Sequence, residues 1–388
     1  MNKQFSGSVI TQVDQIIQMA IEEGASDIHL EPFEKKYRLR FRIDGVLQHI
    51  ASLQPSQKDA ITSRIKIMAE LDIAEKRRPQ DGRIKIRTKK GQDIDLRVSS
   101  LPTQYGEKMV LRILDKGSQE LNLEALGLTD KMLADFRKEI HNPYGMILVT
   151  GPTGSGKTTT LYSALNELNS PDVNITTIED PIEYNLDGIN QTQVHEEIGL
   201  SFAHILRSIL RQDPNIIMVG EIRDKETAEI AIRSALTGHL VFSTLHTNDA
   251  ASAVSRMVEM GVEPFLVASS VRLVLAQRLV RKICPSCKEI CKPDSHLVEE
   301  LGIDGNTAFY RGKGCEKCNE SGYKGRTALL ELMVLNNKLS ESLIKNPNAG
   351  QLKAEAITFG MNTLREAGIQ KIMQGETTIE EVYRETTL

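Results

Sequence analysis

The first 115 residues carry apolar positions first at helical and then at strand spacing. Between residues 9 and 23 the apolar side chains stand three or four positions apart, which predicts a helix over residues 9–23 that is terminated by Gly24. In the segment YRLRFRI, apolar residues alternate with three arginines, which predicts a half-buried strand with one basic face. A tight hairpin turn is expected at Asp44-Gly45. Further strands are predicted over residues 83–87, 93–98 and 109–114, so residues 1–115 should form a small α/β domain.

The pattern changes after a polar stretch at residues 116–125, which we expect to be a linker. Short apolar runs then alternate with helical segments, the runs lying at residues 146–149, 175–178, 216–219 and 239–243. This alternation predicts a largely parallel sheet covered by helices in a second domain over residues 126–388. Ligands of such sheets bind at the carboxyl ends of the strands. Helical sequence is expected from residue 327 to the C-terminus.

Residues 151–158, GPTGSGKT, fit the phosphate-binding pattern G-x-x-x-x-G-K-[ST] between a predicted strand and a predicted helix. The glycines let backbone N–H groups turn inward around phosphates, and the helix N-terminus adds partial positive charge. Lys157 is expected to reach the β- and γ-phosphates of ATP, and the Thr158 hydroxyl to hold Mg²⁺. A glycine-rich turn without a ligand does not account for the strand, loop and helix together. We therefore assign nucleotide binding to Gly151, Pro152, Thr153, Gly154, Ser155, Gly156, Lys157, Thr158 and Thr159.

Carboxylates follow two neighbouring predicted strands. The apolar run 216–219 leads to Glu221, and the run 175–178 leads to Glu179 and Glu183. Such acids are placed to polarise water or to support the metal ion. Any one of them alone is more often a helix cap or a surface carboxylate, but three near the ends of strands in one phosphate-binding sheet favour the functional interpretation.

Two histidines, His239 and His246, stand at the edges of the fourth predicted strand. An isolated histidine at a strand end is usually structural. Here one of the two could sense the γ-phosphate.

All five cysteines fall between residues 284 and 318, which favours a metal site over a disulfide framework. Two C-x-x-C pairs are separated by 27 residues, and four thiolates satisfy a tetrahedral Zn²⁺ ion with no open position for catalysis. Redox use of the C-x-x-C pairs is the alternative. Cys291 is the odd thiol, and the predicted ligands are Cys284, Cys287, Cys315 and Cys318.

Composition narrows the class of protein. The chain has 388 residues and a net charge of −4, which does not suggest a nucleic-acid-binding protein. The sequence contains no run of apolar residues long enough to cross a membrane and no N-terminal signal peptide. We therefore expect a cytoplasmic protein that any membrane partner recruits to the inner face of the cytoplasmic membrane.

The phosphate loop and the three segments that follow it in the chain together resemble, in order, the motifs of the secretion ATPase superfamily, in the branch that drives type II secretion and type IV pilus assembly. TIEDPIEY is similar to the family's Asp box, IIMVGEIRD to its Walker B box and TGHLVFSTLHTNDA to its His box, while SDIHLEP resembles a segment of its N-terminal domain. The resemblance covers nearly the whole chain. It implies an α/β protein with a RecA-like P-loop ATPase domain, a preceding PAS-like domain, and a Cys₄ zinc-binding subdomain over about residues 284–326.

The resemblance also implies roles for individual residues. By position, Glu183 is similar to the family's general base, Glu221 to its Walker B acid, and His239 and His246 to its two His-box histidines. Arginines of the N-terminal domain reach the nucleotide in this family, where they would neutralise charge in the transition state. A solvated strand face is the alternative for each of the best candidates, which are Arg83, Arg97 and Arg112.

The implied function is that of a homo-hexameric motor that hydrolyses ATP with Mg²⁺ and acts on an inner-membrane platform protein and its cytoplasmic anchor. The tetracysteine segment, which assembly and secretion branches commonly carry, separates the chain from the pilus-retraction branch. The segments RGKGCEKCNESGYKGR and MVEMGVEPFLVASS resemble type II secretion more than pilus assembly. Pilus assembly, a nucleotide-dependent scaffold with slow hydrolysis, and a nucleic-acid translocase remain alternatives. Family members usually carry a further N-terminal docking domain, so we expect either a truncated or a naturally short member.

Overall fold

The structure is a computed structural model that describes residues 5–88, 91, 93–115, 121–304 and 307–386. It divides into two compact units, Met1–Gln119 and Glu120–Leu388. The first half of the predicted linker, residues 116–120, lies outside the described residues. Its second half does not behave as a linker, because Leu123 is buried in the core of the second unit.

The first unit is one six-stranded antiparallel sheet with two helices on one face. Its strand order is β3-β2-β1-β6-β5-β4. The elements are α1 (Val9–Glu22), β1 (Ala25–Pro32), β2 (Tyr37–Ile43), β3 (Val46–Leu53), α2 (Lys58–Met68), β4 (Gln80–Arg87), β5 (Asp93–Thr103) and β6 (Gly106–Asp115).

The core of this unit follows from the alternation in its strands. The apolar side chains of α1 and α2 pack on those of β1, β2, β4, β5 and β6 in one cluster. The polar residues of the same strands, including the arginines of β2, lie on the other face. At the predicted hairpin turn, Asp44 and Gly45 have φ angles of 49° and 84°, which places both in the left-handed region that this tight turn requires.

The second unit contains a seven-stranded sheet of order β15-β12-β7-β11-β10-β8-β9, in which only β15 is antiparallel to its neighbour within the described residues. The strands of this sheet are β7 (Gly145–Thr150), β8 (Ile175–Glu179), β9 (Asn190–Gln193), β10 (Ile216–Val219), β11 (Leu240–Leu245), β12 (Val271–Ile283) and β15 (Tyr323–Val334). A separate antiparallel pair is formed by β13 (Lys288–Cys291) and β14 (Phe309–Gly312). Its helices are α3 (Asp130–Ile140), α4 (Lys157–Leu168), α5 (Phe202–Ile209), α6 (Lys225–Leu236), α7 (Ala250–Glu259), α8 (Pro264–Ser270), α9 (Ser295–Leu301), α10 (Asn337–Lys345), α11 (Ala349–Thr358), α12 (Leu364–Met373) and α13 (Ile379–Thr386).

Helices cover both faces of this sheet. On one face, α3 and α4 pack on alternate residues of β7, such as Ile147 and Val149. On the other face, Met146 and Leu148 join a larger core with α5 to α8 and α10 to α12. Strands buried on both faces need continuous apolar runs, which explains the pattern of the sequence.

One prediction for the second unit is wrong. Residues 327–334 were expected to begin the helical C-terminal part, but they belong to β15. The segment TALLELMV is rich in good helix formers, yet it pairs along its length with β12, from Thr327 opposite Val280 to Val334 opposite Leu273. Tertiary pairing thus overrides local helix propensity here. The helical prediction holds from α10 onward.

Candidate active site and metal centre

The phosphate loop connects the carboxyl end of β7 to the first turn of α4. Gly151, Gly154 and Gly156 have φ angles of +146°, +80° and +90°, which side-chain-bearing residues rarely adopt. A Cβ atom on Gly151 would lie 2.3 Å from the backbone oxygen of Gln277, so this position also has no room for a side chain. The loop therefore takes a shape that its glycines alone permit, at a helix N-terminus that favours anions.

The other predicted loop residues have different surroundings. Pro152, Thr153 and Gly154 are exposed, whereas Ser155 is buried. Thr158 and Thr159 are half-buried in the first turn of α4. The Thr158 hydroxyl thus stands where the motif requires a magnesium ligand, although the assignment stays a prediction.

Lys157 lies across the loop. Its Nζ atom donates to the backbone oxygens of Gly151 at 2.9 Å and Pro152 at 3.0 Å. Burial lowers the pKa of Lys157 to about 8, against the opposing effect of the Glu221 charge and with the help of the Arg278 charge. A phosphate group beside Nζ would favour the charged form and reverse this shift.

Glu221 and His246 lie near the same edge of the sheet as Lys157. Glu221 follows β10, and its Oε1 atom accepts from Arg223 Nη2 at 2.6 Å. Its Oε2 atom lies 3.6 Å from Nε2 of His246, which follows β11. Burial and the Lys157 charge lower the pKa of His246, although Glu221 opposes them. The structure therefore brings Lys157, Glu221 and His246 together at the carboxyl ends of neighbouring parallel strands.

The structure does not bring His239 to this edge. His239 precedes β11, and its backbone oxygen accepts from the N–H of Gly145 at the start of β7. Its Nδ1 atom lies 3.1 Å from the backbone oxygen of Ser234. Because β7 and β11 are parallel, His239 lies at the amino ends of the strands, opposite the phosphate loop.

Glu179, the last residue of β8, is enclosed in a polar cluster. It is 4% exposed, and its carboxylate accepts from Thr177 Oγ1 at 2.6 Å, from Gln191 Nε2 at 3.0 Å and from the Tyr162 hydroxyl. Burial, together with the Glu179 charge, raises the pKa of Tyr162. Both carboxylate oxygens are thus bound by protein donors, so the geometry of Glu179 fits a structural role. Its predicted role in nucleotide binding stays a prediction.

Glu183 occupies the loop that follows β8. Its side chain is half-buried. Burial and then the Glu183 charge raise the pKa of the neighbouring Tyr184 to about 12. The assignment of Glu183 as general base stays a prediction.

The three candidate arginines stand side by side on three adjacent strands of the first unit. Arg83 of β4 is paired with Arg97 of β5, and Arg97 is paired with Arg112 of β6. Paired residues share a face of a sheet, and this face is the one opposite the apolar core. The row continues to Asp27 of β1, whose Oδ1 atom accepts from Arg112 Nε at 3.0 Å. Arg42 lies on the other side of Asp27, at 3.4 Å.

Four cysteine thiols converge at the end of β12. The Sγ atoms all lie within 4.8 Å of one another, with separations of 3.9 Å for Cys284–Cys315 and Cys287–Cys318 and 3.6 Å for Cys315–Cys318. A tetrahedral ion with Zn–S bonds of about 2.3 Å requires separations of about 3.8 Å, so the donor set and its spacing fit zinc. Cys291 lies outside this cluster, in β13 opposite Phe309.

Sequence reasoning missed residues that support the site from neighbouring strands. Gln277 of β12 is hydrogen-bonded to the phosphate loop and to α4, and Arg278 holds Asn248 in the loop that carries His246. The sequence did contain a sign of these roles, because the polar pair Gln277-Arg278 interrupts the apolar segment VRLVLAQRLV. Asp27 was likewise present in the segment SDIHLEP without a role.

A family model described as type II/IV secretion system protein matches residues 2–384. This chain belongs to that family. The chain is 54% identical over 386 residues to the type IV pilus assembly ATPase PilB of Myxococcus xanthus, and the match covers 97% of this chain and 68% of that protein. It is 50% identical over 390 residues to the type II secretion system protein E of Pseudomonas aeruginosa, covering 100% of this chain and 77% of that protein.

A crystal structure of the pilus retraction motor PilT with bound ADP is similar to this chain. The two are 29% identical, with a TM-score of 0.65 and coverage of 96% of each chain. The predicted α/β fold class and the predicted family are therefore confirmed, and the chain is an ATP hydrolase. Within the described residues, none of its helices combines the length and the apolar character needed to cross a bilayer.

Proposed function

We propose that this chain is the hexameric ATPase motor of a type II secretion system, and that it hydrolyses ATP at the edge of the sheet where Lys157, Glu221 and His246 meet. The observation that carries the proposal is this convergence on one phosphate loop. A neutralising cation, an acid and a titratable ring lie there together, within reach of a helix N-terminus.

In this proposal the residues of the site divide the work. Backbone amides of the loop and Lys157 would hold the phosphates, while Thr158 and, through water, Glu221 would hold Mg²⁺. Bound Mg²⁺ would neutralise phosphate charge during transfer to water. Glu183 accepts the proton of the attacking water, and His246 senses the γ-phosphate. The arginines of the first unit add positive charge in the transition state.

The four cysteines would hold zinc as a closed structural site. Four protein ligands leave no position for a substrate, so the ion would stabilise the fold around the end of β12. Assembly into a hexamer, action on an inner-membrane platform protein and its cytoplasmic anchor, and recruitment to the inner face of the cytoplasmic membrane belong to the same proposal. The chain itself would be cytoplasmic and would not act on nucleic acid.

Type IV pilus assembly is the alternative, and one observation favours it. The 54% identity to a pilus assembly ATPase exceeds the 50% identity to a type II secretion protein. Deletion of the gene in its own bacterium separates the two. Loss of proteins from the culture medium with pili intact supports secretion, whereas loss of surface pili alone supports assembly.

Hydrolysis itself is tested with Lys157→Ala in the full chain. ATP turnover should fall to background, because the phosphates lose their principal cation. Lys225→Ala is the matched control, since Lys225 also opens a helix but pairs with Glu229 on the surface. Unchanged turnover in Lys157→Ala would refute the site.

The assignment of the base needs a second variant. Glu183→Gln should retain ATP binding while turnover falls by about 10² or more, as expected for the loss of a general base. Loss of ATP binding in this variant would show that Glu183 holds the nucleotide and does not act as the base.

A further inference from the structure

Strand β12 contacts the phosphate loop through the side chain of Gln277. In the parallel pairing of β7 and β12, Ala276 lies opposite Thr150, so Gln277 stands beside Gly151 where the loop begins. Gln277 is 3% exposed. A polar side chain in this position needs hydrogen-bond partners, because an unpaired buried amide is costly.

Both ends of the Gln277 amide are occupied. Its Nε2 atom donates to the backbone oxygen of Ser155 at 2.7 Å, and its Oε1 atom accepts from the Thr160 hydroxyl at 2.9 Å. Ser155 lies in the loop and Thr160 lies in the first turns of α4. One side chain therefore ties the loop to the helix whose N-terminus faces the phosphates.

The backbone of the same residue shapes the start of the loop. A Cβ atom on Gly151 would lie 2.3 Å from the Gln277 oxygen, and one on Gly156 would lie 3.1 Å from Gln277 Nε2. The loop thus follows the surface of Gln277 at both its ends. The contact requires glycine at position 151 and leaves little room for a side chain at position 156, and both residues also have positive φ angles.

We propose that Gln277 is a positioning residue for ATP hydrolysis, one that holds the phosphate loop in its binding shape from the neighbouring strand. The proposal rests on the proposed function of the loop. A loop that already has its binding shape does not have to be ordered when ATP binds. Loss of the Gln277 hydrogen bonds should therefore weaken ATP binding more than it slows hydrolysis.

The test compares Gln277→Met and Thr160→Val in the full chain. Methionine keeps the length of the side chain but forms neither hydrogen bond, and valine removes only the donor to Oε1. The measurements are the Kd of a fluorescent ADP analogue, KM and kcat for Mg·ATP, and hydrogen exchange of the amides of residues 151–158.

In Gln277→Met, Kd and KM should rise about tenfold, as expected for the loss of two hydrogen bonds, while kcat changes less than about threefold. Exchange of the loop amides should accelerate. Thr160→Val should raise Kd about threefold by the loss of one bond. If Gln277→Met does not fold, the Thr160→Val result decides, and an unchanged Kd there overturns the proposal.

Two controls separate the possible failures. Gln12→Met removes a second buried glutamine, whose Nε2 atom donates to the backbone oxygen of Gly7 in the first unit, and should leave Kd unchanged. Lys157→Ala should abolish binding. If it does so while Gln277→Met binds normally, Gln277 has no positioning role but the phosphate site stands; if Lys157→Ala binds normally, the proposed function itself fails.

Discussion

The ammonium group of Lys157 makes nucleotide binding depend on pH in a defined direction. Burial lowers its pKa to about 8, although the Glu221 charge opposes the shift. Its Nζ atom donates to the backbone oxygens of Gly151 and Pro152, which carry no full negative charge. Phosphates placed beside Nζ would hold it fully charged. Binding should therefore take up a proton whenever Lys157 is partly neutral in the free protein.

The size of the effect follows from that pKa. At pH 8 about half of the Lys157 side chains are neutral, and at pH 7 about one tenth, so ADP binding should take up about 0.5 and about 0.1 proton respectively. The complex then holds more protons than the free protein, so affinity must fall as pH rises. From pH 7 to pH 9 the Kd of Mg·ADP should increase about tenfold.

Titration calorimetry in two buffers of different ionisation enthalpy measures the uptake directly. The phosphates of ADP do not contribute at pH 8, because their last pKa is near 6. His246 does not contribute either, since burial and the Lys157 charge lower its pKa from its ordinary value. His246→Ala should therefore retain the uptake at pH 8. Protein that binds ADP at pH 8 without taking up protons would refute the reasoning.

Three further outcomes are expected from the rest of the molecule. Purified protein should contain about one zinc per chain, and Cys284→Ser should lose it, whereas Cys291→Ser should keep it; zinc retained in Cys284→Ser contradicts the Cys₄ site. His246→Ala should lower kcat about tenfold or more, while His239→Ala, at the other edge of the sheet, should leave kcat within about twofold. Equal losses of kcat in the two variants would contradict the assignment of His246 alone to the active site. Arg97→Gln should lower kcat about 10²-fold with little change in thermal stability, because the transition state loses one hydrogen-bond donor. An unchanged kcat would show that the row of arginines is only a solvated face of the sheet.

The sequence predicts those parts of the fold that are determined by residues close together in the chain. The apolar runs at residues 146–149, 175–178 and 216–219 all fall in strands buried on both faces, because a strand between two helical layers has no polar face. The first helix was expected to end at residue 23 and ends at Glu22. The turn at Asp44-Gly45 is set by two residues that tolerate positive φ.

The features that the sequence did not predict depend on partners distant in the chain. Pairing with β12 decides that TALLELMV is a strand, and no local pattern shows that pairing. In the sequence, Glu179 and Glu221 both come at or near the end of an apolar run. Only the structure shows that the Glu179 carboxylate is hydrogen-bonded by Tyr162, Thr177 and Gln191. The location of His239 could have been predicted, since a residue before a parallel strand lies at the amino edge while ligands bind at the carboxyl edge.

The arginine row of the first unit has a consequence for insertions and deletions. Neighbouring strands lie about 4.8 Å apart, so Arg83, Arg97 and Arg112 form a cationic strip about 10 Å long whose spacing is fixed by the pairing of β4, β5 and β6. Removing a single residue ahead of Arg97 in β5 would turn its guanidinium toward the apolar interior and carry Leu96 or Val98 to the water-facing side. A shift of one residue in the register of the hairpin therefore destroys the strip even though all three arginines are still present in the sequence.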